Sequence, residues 1–151
     1  KLTRSKYMDP IRFYKLRTMC NKLPYVDYTL TLQHEYIGDK YPKLLEQYCS
    51  AIAASTNVYA PKYFEIPAAG CMTFMEVNEQ NYAKDLGFID GENSVFINEQ
   101  NYKTKFEEYL GDKDNPKWEK IAKNGREYAI ENFNNDRGMD SLVDLMEELI
   151  R

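Results

Sequence analysis

Three short apolar runs, each followed by helix-forming sequence, restrict the fold of this chain more than any other feature. The runs extend from Ala51 to Ser55, from Cys71 to Met75 and from Ser94 to Ile97. An apolar run bounded by polar residues is typical of a strand that is buried on both faces. Strands that alternate with helices pair in parallel through right-handed crossovers. The sequence therefore predicts an α/β fold with a parallel sheet flanked by helices.

The other predicted elements complete a single domain of 151 residues, which is long enough to bury a core. Asp9 and Pro10 predict the start of a first helix, and Pro24 predicts its end. A further strand is predicted over 26–32, and further helices over 38–49, 61–69, 79–86, 100–110, from Asn115 onward and over 136–150. The last of these carries an apolar stripe: Met139, Leu142, Val143, Met146 and Leu149. That spacing predicts a helix face packed against the core.

The pentapeptide Asn-Glu-Gln-Asn-Tyr occurs twice, at 78–82 and at 98–102. Each copy follows a predicted strand and precedes a predicted helix. The interval does not continue along the chain, so the two copies do not indicate a solenoid. They predict two strand-to-helix turns of similar structure.

Charge and cysteine content argue against several classes of protein. The net charge of −4 disfavours nucleic acid and anionic membranes as partners, because both require a basic face. No apolar run is long enough for a membrane span. Three cysteines without a Cys-x-x-Cys pair, and a single histidine, argue against a structural zinc site. Unpaired thiols are typical of a reducing compartment, so we expect a cytoplasmic location.

The segment from Lys62 to Gly70 contains most of the candidate binding residues. In open parallel sheets, ligands bind beyond the carboxyl ends of the strands, where helix N-termini attract phosphate. Glu65 could accept two hydrogen bonds from a ribose diol, and Lys62 could neutralise a phosphate oxygen. A diphosphate could approach the main chain at the small residues that follow: Pro67, Ala68, Ala69 and Gly70. The alternatives are a solvated Glu–Lys pair and close packing of a helix on the sheet.

The same segment resembles a motif of group 1 glycosyltransferases, in particular of their spore-maturation-protein-like branch. Lys62-Tyr63-Phe64-Glu65-Ile66-Pro67-Ala68-Ala69-Gly70-Cys71 is similar to the family's Arg-x-Phe-Glu-x-x-Ala-x-Gly segment. Tyr41 to Leu45 resembles an earlier helix of the family, Asp90 to Phe96 a turn before a strand, and Ile121 to Arg126 an Ile-Ala-x-x-Gly-Arg helix. The four segments occur in the family's order over about residues 38 to 150.

The resemblance implies one half of a GT-B fold, in which two Rossmann-like domains face each other across a cleft. This chain would be the C-terminal domain, which binds the nucleotide-sugar donor, with UDP as the expected carrier. The N-terminal acceptor domain would be missing, in agreement with a chain that opens at Lys1 without a methionine. Such enzymes need no metal, because helix dipoles and basic side chains stabilise the leaving diphosphate. The implied reaction transfers a glycosyl group to an acceptor hydroxyl, and this chain alone should transfer little.

Specific roles for several residues are also implied by the resemblance. Glu65 would hold the donor ribose, and the amides of Ala68, Ala69 and Gly70 would approach the diphosphate. Lys62 stands where the family often has arginine, which keeps the charge but loses the bidentate geometry. Arg4 would lie in a phosphate-contacting loop after a first strand.

Asn57 departs from the family pattern and leaves the catalytic residues unassigned. Many retaining relatives have a glutamate eight residues before the ribose-binding one, and an amide cannot replace it as base or nucleophile. Glu76 could approach the sugar or cap a helix, and His34 could touch the donor or be structural. A degenerate, non-catalytic nucleotide- or partner-binding module is the alternative function, and a flavodoxin-like signalling domain is a weaker one.

Overall fold

The computed structural model describes residues 13–28 and 36–150. The helices in these ranges are α1 (Lys15–Cys20), α2 (Lys40–Leu45), α3 (Lys62–Ala68), α4 (Tyr102–Gly111), α5 (Pro116–Asn132) and α6 (Asn135–Ile150), with a 3₁₀ helix at Ala83–Leu86. The strands are β1 (Ser50–Ala53), β2 (Met72–Glu76) and β3 (Val95–Ile97). The predicted helix start at Asp9 and most of the predicted strand over 26–32 lie outside the described residues, as do Arg4 and His34.

The three described strands form one parallel sheet with β2 in the centre. Ile52 of β1 lies opposite Phe74 of β2, which lies opposite Val95 of β3. All five residues of β2 are buried, as expected of a strand covered on both faces. The predicted α/β fold with a parallel sheet flanked by helices is confirmed.

Side chains that alternate along the strands belong to two hydrophobic cores, one on each face of the sheet. The first core combines β-strand residues with α3 and the second half of α5: Ala53, Met75, Tyr63, Ile66 and Ala129. The second core combines them with α1, α4 and the first half of α5: Met72, Phe74, Leu16, Cys20, Phe106, Trp118 and Ile121. The helix α5 therefore contributes to both.

The repeated pentapeptide forms the same turn after β2 and after β3. Asn78 Oδ1 accepts hydrogen bonds from the Gln80 and Asn81 amides, and Asn81 Oδ1 accepts one from the Asn78 amide. Asn98 and Asn101 make the corresponding bonds after β3. Within each turn, the side-chain oxygen of each asparagine thus accepts a hydrogen bond from the main-chain amide of the other, in the manner of a capping box. The prediction of two similar strand-to-helix turns is confirmed.

The helix predicted over 79–86 is only the 3₁₀ helix at Ala83–Leu86. The Asn78–Asn81 turn occupies the first half of that range. Tyr82 then adopts a left-handed conformation with φ 55°, which interrupts helical geometry. Helix-forming composition alone could not indicate this interruption.

The apolar stripe of α6 is not part of the core. The helix itself is present, but it has no buried residue. Met139 is 58% exposed and Leu149 is 80% exposed. The prediction of core packing is therefore wrong, because periodicity identifies an apolar helix face without identifying what covers it. Within the described ranges, no helix combines the length and the apolar content that crossing a bilayer would need.

Candidate functional site

The helix α3 has one buried face and one open face. Tyr63, Ile66 and Pro67 are buried, since residues three and four apart share a face of a helix. Glu65 is exposed and lies in the first turn, where the helix dipole favours a carboxylate. Helical spacing therefore keeps the Glu65 carboxylate out of the core and available to a ligand.

Glu65 lines a cavity of about 610 Å³ formed mainly by residues of α2 and α3. Three other predicted residues, Lys62, Ala68 and Ala69, line the same cavity, and the rings of Tyr36 and Tyr41 complete it. Cavities of this size hold small organic ligands in many proteins. Burial raises the pKa of Tyr41 to about 12, and the negative charge of Glu65 adds to the shift. The cavity therefore brings a carboxylate close to an aromatic ring.

A second cavity, of about 620 Å³, shares Lys62, Tyr36 and Tyr41 with the first. This cavity runs along β1 and is lined by further tyrosines: Tyr25, Tyr28, Tyr48 and Tyr109. A tyrosine ring offers a flat apolar surface and a polar tip, which suits both sugars and bases. Lys62 lies where the two cavities meet.

The side chain of Lys62 is largely enclosed by the protein. Its Nζ donates a hydrogen bond to the carbonyl oxygen of Ala54, just after β1, and lies 5.2 Å from the centre of the Tyr14 ring. Burial lowers the pKa of Lys62 to about 8, with a contribution from the positive charge of Arg17, while the Glu76 carboxylate opposes the shift. A partly desolvated cation at the wall of a cavity suits an anionic ligand.

Glu76 ends β2 and is buried. Its Oε1 accepts a hydrogen bond from Asn78 Nδ2 at 3.2 Å, whereas its Oε2 has no hydrogen-bond partner among the described residues. Burial raises the pKa of Glu76, against the hydrogen bond from Asn78 and the charge of Lys62. Burial thus makes the charged form of Glu76 less favourable than that of a solvated carboxylate. The Asn78 contact connects Glu76 to the turn after β2; the two predicted roles, contact with the sugar and capping of a helix, stay predictions.

Pro67 and Gly70 do not belong to the cavity wall. Pro67 is buried close to Gly125 of α5, and Gly70 follows α3 in a left-handed conformation with φ 90°, near Arg126. The helix α5 thus covers Pro67 and Gly70, whereas Ala68 and Ala69 face the cavity. Asn57, in the loop after β1, and Glu76 are also not among the described residues that line the cavity of Glu65.

The amides proposed for the diphosphate are used within α3. Ala69 N donates to the carbonyl oxygen of Glu65 at 3.0 Å, and Gly70 N donates to that of Pro67 at 2.8 Å. These bonds close the C-terminal end of the helix, where the dipole is negative. Contrary to the expectation from the sequence, neither amide is free for a phosphate.

Two cavity residues, Tyr36 and Tyr41, were not assigned to the site from the sequence. They are far from Glu65 along the chain, and only the fold brings α2 beside α3. The available signal was the count of 13 tyrosines, which indicates no particular position.

No group of three or more His, Cys, Asp or Glu side chains that could hold a metal ion occurs in ranges 13–28 and 36–150. Comparisons with protein-family models, with curated proteins and with solved structures found no match to this chain. The fold and the geometry around Glu65 are therefore the observations from which a function can be proposed.

Proposed function

We propose that this chain binds a nucleotide-diphosphate sugar and is the donor-binding domain of a glycosyltransferase. The observation that carries the proposal is the exposed carboxylate of Glu65 in one cavity with Tyr36 and Tyr41. A carboxylate can accept two hydrogen bonds from the ribose diol of a nucleotide. A tyrosine ring can stack on the base or on the sugar. The acceptor and the catalytic groups would come from a second domain across the cavity, in a cytoplasmic enzyme.

Lys62 is the group proposed to contact the diphosphate. Since the amides of Ala69 and Gly70 are occupied, a side-chain cation has to supply the favourable charge. A phosphate oxygen would replace the carbonyl oxygen of Ala54 as the acceptor from Lys62 Nζ. The new bond would join two opposite charges, which makes it stronger than the bond to a neutral carbonyl.

The experiment is a calorimetric titration of the chain with UDP and with 2′-deoxy-UDP. We expect wild-type protein to bind UDP more tightly, because the deoxy compound loses one of the two hydroxyls that Glu65 would hold. Glu65→Gln should weaken UDP binding about tenfold to a hundredfold, since a hydrogen bond to a charged group contributes about 1.5–3 kcal/mol. The variant should also lose the preference for UDP over the deoxy compound.

The matched control is Glu79→Gln, at an exposed position in the turn after β2, which should leave both affinities unchanged. An unchanged affinity in Glu65→Gln would refute the role of Glu65 in holding the ribose. A folded chain that binds no nucleoside diphosphate at millimolar concentration would favour the second candidate function, a non-catalytic partner-binding module. Asn57 favours that candidate, because many members of the glycosyltransferase family that this chain resembles have a glutamate at the corresponding position.

A further inference from the structure

Cys49 and Cys71 lie at neighbouring positions where two paired strands begin. β1 and β2 pair in parallel with Ser50 opposite Met72, and the Met72 amide donates to the carbonyl oxygen of Cys49 at 2.9 Å. When this register is continued by one residue, Cys49 lies opposite Cys71. Neighbouring strands are about 4.8 Å apart, and the Cα atoms of disulfide partners are usually about 4.4–6.8 Å apart. The main-chain spacing therefore suits a disulfide.

Cys71 lies on the α3 side of the sheet, and the main chain at Cys49 is next to it. Cys71 and Met75, four residues apart, belong to the core that packs against α3. Cys49 precedes Ala51 by two residues and Ala53 by four, and both alanines contact the same core. The Cys71 thiol also lies 3.1 Å from the carbonyl oxygen of Tyr48, the residue bonded to Cys49, so it is next to the Cys49 main chain.

The two thiols differ in exposure. Cys71 is buried, and its thiol donates to the carbonyl oxygens of Tyr48 at 3.1 Å and Leu45 at 3.2 Å. Tyr48 is the residue directly before Cys49, and Cys49 is exposed. Burial raises the pKa of Cys71 to about 11, and the nearby Cys49 thiol adds to the shift. Cys49 is thus the thiol that a reagent in solvent reaches first.

We propose that Cys49 and Cys71 form a reversible disulfide, with a low-molecular-weight disulfide such as oxidised glutathione as the oxidant. The Cys49 thiolate attacks one glutathione sulfur, which releases one reduced glutathione and leaves a mixed disulfide on Cys49. Cys71, after losing its proton, attacks the Cys49 sulfur and releases the second reduced glutathione. The two protein thiols give up two electrons and two protons, which the two glutathione molecules take up. The cross-link encloses Lys62 and Glu65, yet it does not depend on the proposed function.

The test is treatment of the full chain with oxidised glutathione, followed by mass spectrometry without reduction. Wild-type protein should lose the mass of two hydrogens and should give a peptide pair that joins Cys49 to Cys71, and dithiothreitol should reverse both changes. Cys20→Ala is the matched control, since Cys20 lies in the core on the other face of the sheet, and this variant should form the same link. Cys49→Ser should form no link, and Cys71→Ala should stop at the mixed disulfide.

Thermal unfolding is a second test, and its comparison variant, Cys49→Ser, changes an exposed residue. Oxidised wild-type protein should unfold at a higher temperature than reduced protein, because the cross-link restricts the unfolded chain. This shift should be absent in Cys49→Ser. Wild-type protein that stops at the mixed disulfide, or that joins Cys49 residues of two molecules, would overturn the proposal.

Discussion

At the scale of single residues, two ionisable groups near the candidate site are buried or largely enclosed. Lys62 holds an ammonium group in a largely enclosed position. Glu76 holds a buried carboxylate oxygen without a hydrogen-bond partner among the described residues. Burial of such groups opposes folding, and perturbed ionisable groups cluster at sites that bind or react. Stability measurements can therefore separate a structural role of Lys62 from a ligand-binding one.

Lys62→Met is expected to raise the free energy of unfolding at neutral pH by about 1 kcal/mol or more. The pKa of Lys62 falls from 10.5 to about 8 in the folded protein, which corresponds to a penalty of up to about 3 kcal/mol on the charged form. Loss of the hydrogen bond to Ala54 offsets about 1 kcal/mol of the gain. The charged form of Lys62 destabilises the folded protein by the full penalty below a pH of about 8, where the lysine is charged in both the folded and the unfolded state. The penalty then disappears as the pH rises towards 10.5. The advantage of the variant should therefore shrink over that pH range, and wild type should become the more stable protein by about 1 kcal/mol once the amine is neutral in both states, as measured by urea unfolding.

The matched control for this substitution is Lys84→Met. Lys84 lies at an exposed position of the 3₁₀ helix, and its replacement should change the free energy of unfolding by less than about 0.5 kcal/mol. A Lys62→Met variant that is less stable than wild type at neutral pH would contradict the prediction. Lys62 would then be a residue that the fold needs, and its proposed contact with a diphosphate would lose support.

At the scale of elements, two identical pentapeptides form the same turn, but the second asparagine of each makes a different number of hydrogen bonds inside the protein. Asn81 is fully buried, and its Nδ2 donates to the Ser55 carbonyl, the Tyr63 hydroxyl and the Glu76 carbonyl. It thereby joins the end of β1 to the end of β2. The equivalent Asn101 is only partly buried, and its Nδ2 makes one long bond, 3.4 Å, to the carbonyl oxygen of Phe96.

Asn81→Ala is expected to lower the free energy of unfolding by about 3 kcal/mol, and Asn101→Ala by about 1 kcal/mol. The smaller loss is that of a cap. The larger one adds the loss of the buried bonds from Asn81 Nδ2 to the Ser55 and Glu76 carbonyls, although the Glu76 carbonyl still accepts from the Tyr63 hydroxyl. Denaturant unfolding of the two variants measures the difference. Equal losses would mean that the bonds made by Asn81 inside the protein add nothing to its function as a cap.

The sequence predicted the order of these elements well, since short apolar runs and helical spacing are local properties of the chain. Helical spacing also placed Glu65 and Lys62 together on the cavity side of α3. The orientation of Pro67 and Gly70 could not be predicted in this way, because it depends on where α5 packs. The contribution of Tyr41 depends likewise on the contact between α2 and α3. Sites assembled from distant segments require the tertiary structure.

At the scale of the whole molecule, α5 connects the two cores while α6 contributes to neither. Trp118 and Ile121 of α5 belong to the core with α1 and α4, and Ala129 belongs to the core with α3. Where α5 passes the turn before β3, it comes close to the main chain of that turn. Gly125 is the residue at this contact, and it is buried.

Gly125→Ala is expected to lower the free energy of unfolding by about 1–3 kcal/mol. A Cβ atom at this position would lie 2.4 Å from the carbonyl oxygen of Asn93 and 3.7 Å from Cβ of Pro67. The Asn93 carbonyl is main chain, so relief of the clash requires a shift of α5 or of the turn. The strain of overpacking should exceed the gain of about 1 kcal/mol that alanine normally brings to a helix. Thermal or denaturant unfolding measures the result.

Gly138→Ala makes the same chemical change in α6, where no atom of the described residues, apart from the adjacent main chain of α6 itself, lies within 4 Å of the added Cβ. This variant should be as stable as wild type or more stable, because only the helix propensity changes. The opposite signs at the two glycines would distinguish a helix that holds the sheet layers together from one that lies outside both cores. A destabilised Gly138→Ala variant would mean that α6 packs against another part of the molecule. An unaffected Gly125→Ala variant would mean that the turn before β3 can move away from α5 without loss of stability.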